Sequence, residues 1–138
     1  MATVDVPNTG YFEYAPKLVR DYLLTRLPDD IPVVTEVPNP RPARLVLVRS
    51  ASMRGNSNLA LSQRRCIIRT WDHTELLACR LAEKVRGFLV DAVHLHGNGI
   101  RFVEVAGEPA YYPDPDDPSG SPRAQLTIDL TLRATFAL

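Results

Sequence analysis

The chain has 138 residues, 45% apolar and 23% charged, with sixteen basic and sixteen acidic side chains and no net charge at pH 7. This is the composition of one ordinary domain with enough apolar material for a core, and it excludes a disordered chain. No run approaches the roughly 18 apolar residues that a membrane helix needs, and Met1 to Asn8 lacks the basic start and apolar core of a signal peptide.

Residues 1–10 read as a flexible N-terminal arm. Tyr14 to Leu27 reads as the first helix, because Pro16 suits a first helical position and Leu18, Val19, Tyr22, Leu23 and Leu27 recur at helical spacing. Pro28 stops it. Ile31 to Glu36 is a short strand candidate, and the prolines between Val37 and Pro42 exclude regular structure there. Arg44 to Arg49, around Leu45 and Val46, is too apolar for a half-exposed strand and reads as one buried on both faces. Ser50 to Ser62 reads as a long polar loop of the functional or mobile kind. Arg64 to Trp71 is the next strand, with Cys66 and Ile68 on one side and Arg65, Ile67 and Arg69 on the other.

Asp72, with Glu75 three residues on, predicts a capping box that opens the clearest helix. Its apolar stripe is Leu77, Leu81, Val85, Phe88, Leu89 and Ala92. Gly97-Asn98-Gly99 predicts a turn, Ile100 to Val105 a strand, and Gly107 to Pro122 a proline- and aspartate-rich excursion. Ala124 to Phe136 then alternates. Leu126, Ile128, Leu130, Leu132 and Ala134 face inward, while Gln125, Thr127, Asp129, Thr131 and Arg133 face out. The order predicts an α+β fold in a single domain, residues 1–138: a mostly antiparallel sheet of four to five strands, two helices packed on one face, and long surface loops.

Little in the chain suggests a reaction. Cys66 and Cys79 sit inside predicted elements, as small buried hydrophobes do, and in an intracellular protein a reduced pair is expected. His94-x-His96 lacks a third ligand nearby, and capping or surface histidines account for it better than a metal. Asp114-Pro-Asp116-Asp117-Pro-Ser-Gly120 superficially resembles a calcium loop but lacks the glycine position and the distal bidentate glutamate. No serine lies in a G-x-S-x-G elbow and no glycine-rich loop opens a helix. The expectation is a protein that is not an enzyme and uses no metal or cofactor.

The charges are laid out unevenly. Val37 to Trp71 contains no acidic residue but carries Arg41, Arg44, Arg49, Arg54, Arg64, Arg65 and Arg69, whereas Glu104, Glu108, Asp114, Asp116 and Asp117 supply counter-charge later. Fourteen of the sixteen basic residues are Arg, which suits bidentate pairing with carboxylate or phosphate, although a GC-rich genome gives the same bias. The basic stretch can be a solvated strand face, a sequence-blind contact with DNA, or one side of a contact between subunits. It lacks the interleaved aromatics of a nucleic-acid reader.

The segments "PKLVRDYLL", "PVVTEVPNPRP" and "IIRTWD" leading into "ELLACRLAEKVRGFL", closed by the alternating final strand, form a recognisable series. Over roughly Tyr11 to Phe136 the chain resembles the tail-terminator proteins of long-tailed bacteriophages, the lambda-type minor tail protein U group and its actinophage relatives. The resemblance implies an α+β subunit of the virion, assembled in the host cytoplasm, that forms a homohexameric ring on the head-proximal end of the tail tube. Such a ring ends tube polymerisation and presents a surface to the head-completion connector protein, and genomic DNA passes through its lumen without sequence recognition. It implies no cofactor, reaction or membrane.

A ring needs two unlike patches on each copy. The expected subunit interface sets Arg41, Arg44, Arg65 and Arg69 against Glu104, Glu108, Asp114, Asp116 and Asp117 of the neighbour. Arg49, Ser52, Arg54, Asn56 and Asn58 form the candidate loop toward the tube or lumen, and Arg54, with Arg49 at the strand end, is the candidate for touching DNA. A head-tail connector or neck protein is the alternative within the structural class, and a small cytoplasmic α+β enzyme or ligand-binding domain is the alternative outside it.

Overall fold

Alternation along two long strands sets the architecture. In the computed structural model, which describes residues 9–95 and 97–136, five strands form one mixed sheet: β1 (Val33–Val34), β2 (Leu45–Ala51), β3 (Leu61–Trp71), β4 (Ile100–Tyr111) and β5 (Arg123–Arg133). Their order across the sheet is β1-β2-β3-β5-β4, with β1 parallel to β2 and the other pairings antiparallel. Helices α1 (Ala15–Leu24) and α2 (Glu75–Asp91) pack on one face, where Val46, Val48, Cys66, Ile68 and the even-numbered residues of β5 are buried against them. The chain therefore has the predicted α+β fold. Most of the N-terminal arm, residues 1–8, and His96 of the predicted histidine pair lie outside the described residues.

Several boundaries differ from the sequence reading. The first helix ends at Leu24, and Leu27 closes a final turn through its N–H to the Leu23 carbonyl. The candidate strand 31–36 shrinks to two residues because only Val33 and Val34 find register with β2. The polar loop is shorter than Ser50 to Ser62, since Ser50 and Ala51 complete β2 and Leu61 and Ser62 open β3. What remains is a nine-residue hairpin connection, 52–60. β4 runs six residues past Val105. Its register shifts around residues 101, 106 and 108–109 are bulges, the last of which takes in Pro109, and an edge strand tolerates the missing proline N–H.

The predicted cap is also displaced. Asp72 is buried, accepts from the His73 N–H at 2.7 Å and receives Arg44 Nε at 3.2 Å, so it cannot cap the helix. Thr74 does so in extended backbone, its hydroxyl accepting from the Leu77 N–H. Ala78, Leu81, Ala82, Val85 and Leu89 then face the sheet, Phe88 is half-buried toward α1, and Leu77 is exposed rather than in the stripe. Thr74→Ala should lower the unfolding free energy by about 1 kcal/mol in urea titration. No change there would mean that Asp72 supplies the cap after all.

Candidate assembly surfaces

Among the described residues, the sheet's second face carries no helix. It is built from the odd-numbered residues of β2, β3 and β5 together with Phe102, Glu104, Gly107 and Ala110 of β4, as cross-strand register requires. Arg65 lies on this face and makes a bidentate pair with Asp129 of its own chain, at 2.7 and 2.9 Å. Glu104 stands opposite Asp129 on the edge strand, exposed. Arg69 donates to the Gln125 amide oxygen at 2.9 Å, and Arg49 donates to the Thr35 carbonyl.

One end of the sheet is charged and closed by chain-internal pairs. Trp71 is buried with Leu45 and Leu47 on the uncovered face, and both Arg41 and Arg123 stack on its ring, at 5.1 and 5.7 Å from the centroid. These two arginines hold the Pro-Asp loop, residues 112–122. Arg41 donates to the Ser121 hydroxyl and lies 3.5 Å from Asp117, while Arg123 donates Nε to the Tyr112 carbonyl and lies 3.7 Å from Asp114. Burial, with Arg69 nearby, pushes the Arg123 pKa down, although a guanidinium stays charged at any physiological pH. Hydrogen bonds from the Ser119 hydroxyl and N–H hold the Asp117 carboxyl below its usual range. Asp114 accepts from the Asp116 N–H, so the loop's carboxylates fold the loop itself.

Of the residues expected to pair between copies, Arg41 and Asp117, read as belonging to two separate patches, meet within one chain. Arg44 pairs with Asp30 and Asp72, and Glu108 with Arg86 of α2. Among the described residues, Arg49, Arg54, Arg69, Glu104 and Asp116 have no ion-pair partner.

The opposite end is the β2–β3 hairpin. The Asn58 side chain accepts from the N–H groups of Ala60 and Leu61, Asn56 and Gln63 bond each other twice, and the Ser57 and Ser62 hydroxyls meet at 2.6 Å. These bonds shape the tip, from which Ser52, Arg54, Asn56 and Asn58 are exposed and Leu59 projects, 87% accessible. Phe102 and Phe136, 58% and 57% accessible, lie at the same end of the sheet, because Ala60 accepts from the Ala134 N–H and the Ile100–Leu132 pair closes β4 against β5 there. The tight turn into β4 needs positive φ at Gly97 and Gly99.

Sequence reasoning missed the Trp71–Arg123 stack and the apolar hairpin end. A lone leucine between Asn58 and Ala60 and an outward Phe102 beside inward Val103 were the signals available. Cys66 and Cys79 are free thiols, and burial pushes the Cys66 pKa up to about 12, which leaves it neutral and unreactive. Among the described residues no helix is long and apolar enough to cross a membrane. Neither a protein-family model nor a curated protein matches the chain.

Proposed function

We propose that this chain is a structural virion protein that forms a homohexameric ring on the head-proximal end of a phage tail tube, ending tube polymerisation and joining tail to head. The observation that carries the reading is the group of large apolar side chains, Leu59, Phe102 and Phe136, left exposed together at one end of the sheet. Large apolar side chains exposed at one end of a folded domain suit a protein contact, and burying one fully contributes up to about 1.5–3 kcal/mol. The α+β subunit with two helices on one face of a single sheet is the kind that the family resemblance implies. In this reading the ring's partners are the tail tube protein on one side and the head-completion connector on the other. DNA crosses the lumen by contacts blind to sequence. The protein carries out no reaction, holds no cofactor, and resides in the virion.

The chain-internal pairs narrow the charges available to neighbours. Arg49, Arg54 and Arg69 on the basic side and Glu104 and Asp116 on the acidic side remain for contacts between copies. Exposed pairs of this kind contribute about 0–1 kcal/mol each, so they set register while apolar contact provides affinity. Electron microscopy of particles assembled without this protein tests the reading: overlong tails are expected. Tails of normal length that fail to join heads would assign it instead to the connector.

A further inference from the structure

The two ends of the sheet differ in charge as well as in apolar exposure. The segments that make up the hairpin end, 9–12, 52–64, 92–95, 97–103 and 130–136, hold Arg54, Arg64, Arg101 and Arg133 and not one Asp or Glu. The nearest carboxylates along the chain, Glu13, Asp91, Glu104 and Asp129, directly border these segments, and Asp129 is already paired with Arg65. Arg64 stacks on Phe12; Arg54, Arg101 and Arg133 are exposed, and among the described residues none of the three has a carboxylate partner. The other end, built from 28–32, 41–44, 71–75 and 111–123, holds seven carboxylates against three arginines, Arg41, Arg44 and Arg123, and all three are already paired. It too exposes apolar surface, in Tyr111 and in Tyr112, 52% accessible.

We infer that copies of this chain join end to end along the strand direction, the basic apolar hairpin end of one seated on the acidic Tyr112 loop end of the next. The two patches are complementary in sign, each has exposed apolar side chains, and they lie at opposite ends of the same strands. That is the heterologous arrangement that closes into a ring when the rotation between copies allows it. Electrostatic match selects the register and speeds encounter, and burial of Leu59, Phe102 and Phe136 against Tyr111 and Tyr112 holds the contact. The inference rests on the ring reading and supplies its interface. In it the pairing charges are Arg54, Arg101 and Arg133 against Asp29 and Asp116, whereas Arg65 remains committed to Asp129.

A charge-exchange experiment tests it. One variant carries Arg54→Glu and Arg133→Glu at the basic end, and a second carries Asp29→Lys and Asp116→Lys at the acidic end. All four residues are exposed, and none is in an ion pair within the described chain. Each variant alone, with thermal unfolding unchanged, should self-associate about tenfold or more weakly in sedimentation. An equimolar mixture should recover rings, since each altered end then meets an altered end of opposite sign in an alternating hexamer. Variants that assemble alone as well as the natural chain would overturn the end-to-end contact and leave the ring reading standing. Loss of assembly that mixing does not restore would also overturn it, assigning the two ends to different partners. A natural chain that stays monomeric even on isolated tail tubes would overturn both.

Discussion

Ile68→Ala should lower the unfolding free energy by roughly 2–5 kcal/mol, whereas Ile67→Ala, one residue away, should cost about 1 kcal/mol. The two side chains are chemically identical and adjacent on β3, but the pleat sends them to opposite faces. Ile68 is fully buried between β2 and β5 beneath the helices, so its truncation leaves a cavity that rigid neighbours cannot fill. Ile67 sits half-buried on the uncovered face, between Arg49 and Thr127, where water replaces the lost methyl groups. Urea unfolding followed by the fluorescence of Trp71, the chain's one tryptophan, gives both values. The measurement belongs at low concentration, where any self-association would not add to the folded state's stability. Equal losses at the two positions would mean that a covering layer also occupies the second face in the isolated chain.

That contrast also separates what local sequence can reveal from what it cannot. The faces of β3 and β5 follow from period-two alternation alone, and so they were legible: Cys66 and Ile68 lie inside, and Arg65, Ile67 and Arg69 lie on the other side. The cap of α2 was not, because Asp72-x-x-Glu75 and Thr74 offer equally good local patterns. The choice falls to Arg44, which is 28 residues away in sequence and claims the Asp72 carboxylate. Gly107 and Pro109 look like the end of a strand in sequence but lie inside β4, Gly107 paired with Thr127 and Pro109 in a bulge, since only an edge position makes the proline acceptable. The candidate interface suffered most from this limit. A run of arginines without acids reads as an unpaired basic patch until Arg41 and Asp117, or Arg65 and Asp129, are brought together by strand order. The charges that stay free are visible only after that pairing is complete.

Trp71→Ala should cost about 3–5 kcal/mol, and its effect should reach beyond the core to the Pro-Asp loop. The indole fills the small apolar cluster with Leu45 and Leu47 and also forms the surface over which Arg41 and Arg123 sit. Each guanidinium also donates to the loop, Arg41 to the Ser121 hydroxyl and Arg123 to the Tyr112 carbonyl. Stacking and fork geometry act together, so charge alone should not suffice at either position. Arg123→Lys separates the loop effect from the loss of core: the ammonium keeps the charge but cannot both lie against Trp71 and Tyr112 and reach the Tyr112 carbonyl. Limited proteolysis between Asp114 and Gly120 should therefore accelerate in Arg123→Lys under conditions where global unfolding is negligible, and the Tyr112 N–H, which donates to the Arg123 carbonyl, should exchange faster. Cleavage at the natural rate in Arg123→Lys would show that the loop's own Asp114 and Asp117 turns hold it without the arginine. The acidic end would then keep its shape independently of the tryptophan beneath it.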